Sequence, residues 1–291
     1  MKLSLGFSPC PNDTFIFDAL IHHKIDTEGL DFEVEYHDVE TLNHKAFRGE
    51  LDITKLSYHA FAYAVEDYEL LDSGSALGFG VGPLLITKNP LLAQLLSSFA
   101  GQELPAEYHN LKVGIPGQYT TANFLLGLAF PQLKNKEIMV FSDIESALLN
   151  GEIDLGLIIH ENRFTYQEKG LHKVVDLGEY WEQTTESPIP LGGIVISRDL
   201  APEVKEKVNR LIRKSVEYAF ANPKSGIDYI RSHAQEMEES VMYKHIELYV
   251  NQYSIDLGEV GKKAIMSMFG KAQELNIVPH SAKNIFLIGK S

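Results

Sequence analysis

Ala46-Phe47-Arg48-Gly49-Glu50-Leu51-Asp52-Ile53 and Leu148-Leu149-Asn150-Gly151-Glu152-Ile153-Asp154-Leu155 share a core of Gly-Glu-apolar-Asp-apolar, recurring 102 residues apart. Each copy follows an amphipathic helical pattern and precedes an apolar strand pattern. The glycine suits the left-handed residue that ends a helix, and the strand after it returns the chain to a sheet. The second helix also carries a capping-box signature, Ser142-Asp143-Ile144-Glu145. The two stretches open alike. Leu5-Gly6-Phe7-Ser8-Pro9 leads to a helix at Asp13, and Val113-Gly114-Ile115-Pro116-Gly117 leads to one near Thr120. Two α/β units of similar architecture are one reading of this pattern. Chance recurrence of a common turn sequence is the other.

Outward from the repeat, strand and helix signals alternate, which points to an α/β fold with mostly parallel strands. A strand is expected over 2–7 and a helix over 13–22, with Asn12 or Asp13 as its N-cap. A half-exposed strand follows over 30–36 and a helix over 40–48. Gly82-Pro83-Leu84-Leu85-Ile86-Thr87 and Gly192-Gly193-Ile194-Val195-Ile196-Ser197 resemble each other and are candidate crossovers between lobes. After Pro202 the pattern turns helical, over 203–221, 243–251 and 258–275, and such a tail is expected to pack on the first lobe. The layout is an α/β, two-lobed clamshell. Residues 1–87 and 193–291 form a discontinuous first lobe, residues 88–192 an inserted second lobe, and a ligand is expected between them.

Composition narrows the partners. The 291 residues include 26 Lys and Arg against 40 Asp and Glu, a net charge of −14. Nucleic acid and anionic lipid both need basic surfaces, so neither is expected as a partner. The single cysteine, Cys10, excludes an intrachain disulfide and a Cys-rich zinc site. No secretory apolar core stands at the N-terminus, and the longest apolar run is broken by glycines. A cytoplasmic protein is expected; oligomeric state is not legible.

His160 leads the chemical candidates. It closes the run Leu155-Gly156-Leu157-Ile158-Ile159, apolar enough for burial on both faces, and ligands of open parallel sheets bind beyond strand carboxyl ends. Imidazole is suited to proton transfer near neutral pH; a plain polar residue closing a strand is the alternative. The matching strand of the first unit ends in Lys55-Leu56-Ser57. There Lys55 offers a point charge for a carboxylate and Ser57 or a backbone N–H offers donors, unless Lys55 is simply solvated. Thr120 and Thr121 stand at a helix N-terminus, a ready anion site, and either cap the helix or turn donors toward a ligand. Cys10 has little support as a nucleophile. Phosphate-loop, zinc-pair and nucleophile-elbow motifs are missing from the sequence, so no cofactor and no catalytic metal are expected.

Ser8-Pro9-Cys10-Pro11-Asn12-Asp13-Thr14-Phe15 and Gly156-Leu157-Ile158-Ile159-His160-Glu161-Asn162-Arg163-Phe164-Thr165-Tyr166 resemble the 1,4-dihydroxy-6-naphthoate synthases of the futalosine route to menaquinone. Lys55-Leu56-Ser57-Tyr58-His59 and Thr120-Thr121-Ala122 fit the same family, and the likeness runs over essentially the whole chain. The resemblance implies a periplasmic-binding-protein type II-like fold with a helical C-terminal segment. It implies a lyase that converts cyclic dehypoxanthine futalosine, a small carboxylate substrate, to 1,4-dihydroxy-6-naphthoate and dihydroxyacetone. It also implies His160 as general base in the interlobe cleft, with substrate contacts at Lys55, Leu56, Ser57, Thr120 and Thr121. Leu56 takes part only through its backbone, since an apolar side chain does not bind a carboxylate. A chorismate dehydratase of the same pathway and a non-catalytic small-anion binding protein are the competing readings.

Overall fold

A computed structural model describes residues 1–234 and 238–287. The strands in chain order are β1 (Lys2–Phe7), β2 (Asp31–Tyr36), β3 (Ile53–Ser57), β4 (Tyr68–Leu70), β5 (Ala76–Gly78), β6 (Leu84–Thr87), β7 (Val113–Ile115), β8 (Lys136–Ile138), β9 (Leu155–Ile158), β10 (His172–Asp176) and β11 (Ile189–Ser197). They form two sheets. One has the order β2-β1-β3-β11-β4, with β5 also paired to β11; the other reads β8-β7-β9-β6-β10 from the corresponding edge. In both, the first three strands are parallel and the fourth runs antiparallel to its neighbours.

The chain divides into two compact units, residues 1–78 with 190–291 and residues 79–189. Both boundaries fall earlier than the expected 87 and 192. The physical reason at the first is β6. Its backbone pairs with β9 and β10, so Leu84–Thr87 is an integral strand of the second sheet and not the end of the first.

The Gly-Glu-apolar-Asp repeat has the same physical basis in both units. Gly49 and Gly151 sit at φ +65° and +76°, the left-handed region that glycine enters without steric cost. Two residues on, the apolar side chain packs over a strand glycine. A Cβ at Gly6 would come within 2.6 Å of Leu51, and one at Gly114 within 2.6 Å of Ile153. The aspartate then captures a backbone donor two residues before that glycine. Ser4 N–H donates to Asp52 at 2.8 Å, and Lys112 N–H donates to Asp154 at 2.8 Å. The motif is thus a docking device that joins a helix end to the strand beside it in both units.

The first unit's core is closed by its C-terminal half. Helix Pro202–Ala221 buries Val208, Leu211, Ile212, Ser215, Val216 and Ala219, an i, i+3, i+4, i+7 stripe. The stripe packs with Phe15, Ile16 and Leu20 of helix Pro11–Ile21, each large apolar residue contributing about 1.5–3 kcal/mol on burial. Ser215 is polar within that stripe and fully satisfied. Its hydroxyl donates to the Ile16 carbonyl at 2.6 Å and accepts from Leu20 N–H at 3.1 Å. Edge strand β4 is covered by residues 285–287: Leu70 N–H donates to Ile285 and Leu287 N–H to Leu70. The second unit has its own core around Ile86, Ile144, Leu148 and Ile158. Among the described residues no helix is long and apolar enough to cross a membrane.

Candidate active site

In the first unit, β1 and β3 lie side by side and parallel, with Leu5 opposite Ile53 and Gly6 opposite Thr54. Their carboxyl ends therefore bring Ser8 and Lys55-Leu56-Ser57 to one edge of the sheet. Helix Pro11–Ile21 begins there with Cys10, not Asn12 or Asp13, as N-cap. Pro11, with its fixed φ and no N–H to lose, takes the first helical position, so Asp13 lies within the first turn. Its carboxylate is turned into the protein instead of capping. Lys55 Nζ donates to Asp13 Oδ1 at 2.9 Å and to the Gly74 carbonyl at 3.2 Å. Ser8 Oγ donates to Asp13 Oδ2 at 2.8 Å, and Asn12 Nδ2 donates to Oδ1 at 2.9 Å. Lys55 is 6% and Asp13 1% exposed, so the pair holds together only because these further bonds satisfy it.

The network reaches deeper through Asn12. Its amide nitrogen is committed to Asp13, so its oxygen accepts from His245 Nε2 at 2.8 Å, which makes Nε2 the protonated nitrogen of that ring. Ser57 is held separately. Its N–H donates to Asn43 Oδ1 at 3.1 Å, while Asn43 Nδ2 donates to Glu40 at 2.9 Å. The Leu56 side chain is fully buried, and its backbone pairs with Gly193 of β11. Lys55 is thus a buried, paired cation and not a solvated strand-edge lysine.

In the second unit, β7 and β9 are parallel neighbours. The turn after β7 leads to helix Thr121–Ala129, capped by Thr120. The Thr120 hydroxyl donates to the Gly117 carbonyl at 2.9 Å and accepts from Asn123 N–H at 3.2 Å, so capping is what this side chain does. Thr121 opens the helix and is buried. Asn123 is a hub for the turn: Nδ2 donates to the Gln118 carbonyl at 2.8 Å and Oδ1 accepts from Lys136 Nζ at 2.7 Å. Burial, with a smaller contribution from nearby Lys134, pushes the Lys136 ammonium down from 10.5 to about 8. The unfolded chain therefore binds more protons between those values, and stability rises with pH across that window. Substituting Lys136→Met abolishes that rise in the thermal midpoint between pH 8 and 10.5; an unchanged slope would show that another group is responsible.

His160 stands at the carboxyl end of β9. The fully buried strand lies between β6 and β7, which explains its unbroken apolar sequence. After Ile159 the chain turns sharply, and His160 takes φ +59°, the left-handed region that costs a non-glycine residue about 1–3 kcal/mol. Such conformations persist only where the surroundings over-determine them. Here the ring meets Phe141 at 5.0 Å, edge to face, and two bonded anchors follow in the chain. Asn162 Nδ2 donates to Glu145 at 2.6 Å. Arg163 donates to the Gly82 carbonyl at 2.5 Å and to Asp176 at 3.1 Å. Asp176 also caps helix Leu177–Thr185 through Gly178 and Glu179 N–H.

Glu145 corrects the capping-box expectation. Helix Ile144–Asn150 starts after Asp143, whose side chain makes no cap bond, and the Ser142 hydroxyl donates to Asp143. The Glu145 carboxylate is drawn instead to Asn162 and Lys169, whose cationic and amide donors bind it more strongly than a lone backbone N–H would. The structure brings Lys55, Leu56 and Ser57 together on β3, and Thr120, Thr121 and His160 to the ends of two adjacent strands. The pairings of Asp13, Asn43, Glu145 and His245 were not legible from spacing. Asp13 alone carried a signal, as a buried-strand lysine requires a carboxylate.

Two sheets of matching strand order, each parallel on one side and antiparallel on the other, define the periplasmic-binding-protein class of fold. The alkanesulfonate-binding protein of Xanthomonas axonopodis pv. citri shares it at a TM-score of 0.69, covering 96% of this chain and 94% of that one. At 12% identity this is a likeness of fold alone. A crystal structure of a protein from Archaeoglobus fulgidus superposes at a TM-score of 0.84 with 33% identity, covering 95% and 98% of the two chains. Residues 3–274 match the menaquinone biosynthesis family, and the chain belongs to it. It is 42% identical over 285 residues to the 1,4-dihydroxy-6-naphthoate synthase of Thermus thermophilus, covering 98% of this chain and 99% of the relative. The enzyme of the same name from Streptomyces coelicolor is 40% identical over 282 residues, covering 95% of each.

Proposed function

We propose that this chain is a cytoplasmic lyase that converts cyclic dehypoxanthine futalosine to 1,4-dihydroxy-6-naphthoate and dihydroxyacetone. The observation that carries this reading is the 42% identity to a synthase of that name along nearly the full length of both chains. His160 is the general base: neutral imidazole removes a proton to begin fragmentation, and aromatisation of the ring draws the reaction forward. General-base assistance of this kind contributes about 10²–10⁴-fold. A strained backbone at the His160 position supports the assignment, because such strain clusters where a side chain must be aimed.

Lys55, Ser57, the Leu56 backbone, Thr120 and Thr121 bind the substrate. Since the Ser57 N–H is committed to Asn43, its hydroxyl is the donor it offers. Since the Thr120 hydroxyl is committed to Gly117, the first-turn amides of its helix carry the attraction for a carboxylate. Lys55, paired with Asp13, acts as a placed hydrogen-bond donor more than as a net positive charge.

Mass spectrometry of the products formed from cyclic dehypoxanthine futalosine tests the reading. Equal amounts of the naphthoate and dihydroxyacetone are expected. Absence of both overturns it. Turnover of chorismate in their place would identify a dehydratase, and calorimetric binding with no product a ligand-binding protein.

A further inference from the structure

Glu145 is 3% exposed and has no capping duty, so its buried charge needs another explanation. A buried carboxylate is strongly disfavoured unless its partners are well placed. Its two described partners both lie in the segment after His160. Asn162 Nδ2 donates to Oε2 at 2.6 Å and Lys169 Nζ donates to the same oxygen at 2.7 Å. The same short stretch of chain also supplies Phe141 against the His160 ring. Residues 141–145 thus grip the catalytic segment twice, once at the imidazole and once two residues beyond it. The histidine gripped in this way keeps its backbone in the left-handed region, which is costly for a non-glycine residue.

We propose that Glu145 is a positioning residue. By binding Asn162 and Lys169 it holds the turn at His160 in the strained conformation that aims the imidazole. The inference rests on the reading of His160 as general base. The Arg163–Asp176 contact is a weaker candidate for this task, because Asp176 also serves as a helix cap and its loss would disturb the fold at large.

Two variants test it, Glu145→Gln and Asn162→Ala; the second leaves the Glu145–Lys169 pair intact, so the test survives if the first does not fold. In each, kcat should fall by about 10–100-fold, the cost of misplacing a catalytic group, with KM changed less than about twofold. In a His160→Asn background, where no imidazole remains to be aimed, either change should alter the residual rate by less than about twofold. An unchanged kcat in folded Asn162→Ala, or the same loss in both backgrounds, overturns the inference while leaving His160 as base. Near-normal turnover of His160→Asn alone overturns the base assignment and the inference with it.

Discussion

Replacing His160 with Asn lowers kcat by about 10²–10⁴-fold and leaves the fold intact. Asparagine is the informative substitution because it tolerates φ near +59° better than other side chains of its size. His160→Gly is the complementary one. Without a Cβ it removes the backbone strain, so it should raise stability by about 1 kcal/mol while being as inactive as the Asn variant. A protein that gains stability as it loses turnover separates chemistry from folding. Steady-state rates on cyclic dehypoxanthine futalosine, taken with thermal midpoints, read both effects. Turnover within about tenfold of the parent in His160→Asn would remove this residue from the proton-transfer step.

Breaking the Lys55–Asp13 pair should give the largest loss of stability. Asp13→Ala leaves a buried ammonium without its counter-charge, and Ser8 and Asn12 lose their shared acceptor. Removing one partner of such a pair costs about 3–5 kcal/mol, a loss read directly from the denaturant midpoint. Lys55→Met strands the carboxylate in the same way. The double variant Asp13→Leu with Lys55→Met should recover most of the loss, since replacing both charges by apolar groups is often neutral or stabilising. A single-variant cost below about 1 kcal/mol would mean that water reaches the pair and screens it.

The repeat carried the fold because its residues answer to local geometry. A left-handed helix end demands glycine, and a strand packed beneath a helix end demands an apolar residue at a fixed offset. Gly49 and Gly151, with Leu51 and Ile153, were therefore legible as a pair. The boundary at residue 78 was not, because the assignment of β6 depends on pairing with β9 and β10, seventy or more residues further along the chain. His160 was legible by its place after an apolar strand. Its left-handed φ was not, since that region is uncommon for any non-glycine residue and the contacts of Phe141 and Asn162 that accompany it here are tertiary. Glu145 misled for a related reason. A capping-box spacing specifies what a glutamate is able to reach locally, and tertiary partners of higher charge compete for the same oxygen.

Strand β11 occupies an interior place in the first sheet, between β3 and β4, yet it is the last of the sheet's strands to be made. During synthesis, β1 to β4 emerge with that interior place empty, and helix Pro202–Ala221, which covers their core, comes later still. At about 5–20 residues per second, the ribosome needs roughly 6–24 s to travel from the first boundary to the end of β11. The second unit is contiguous and is complete within that interval. For those seconds the nascent first unit carries unpaired strand edges and uncovered apolar surface, the exposure that chaperones shield. The second unit is finished before the half-sheet that began the chain is able to close.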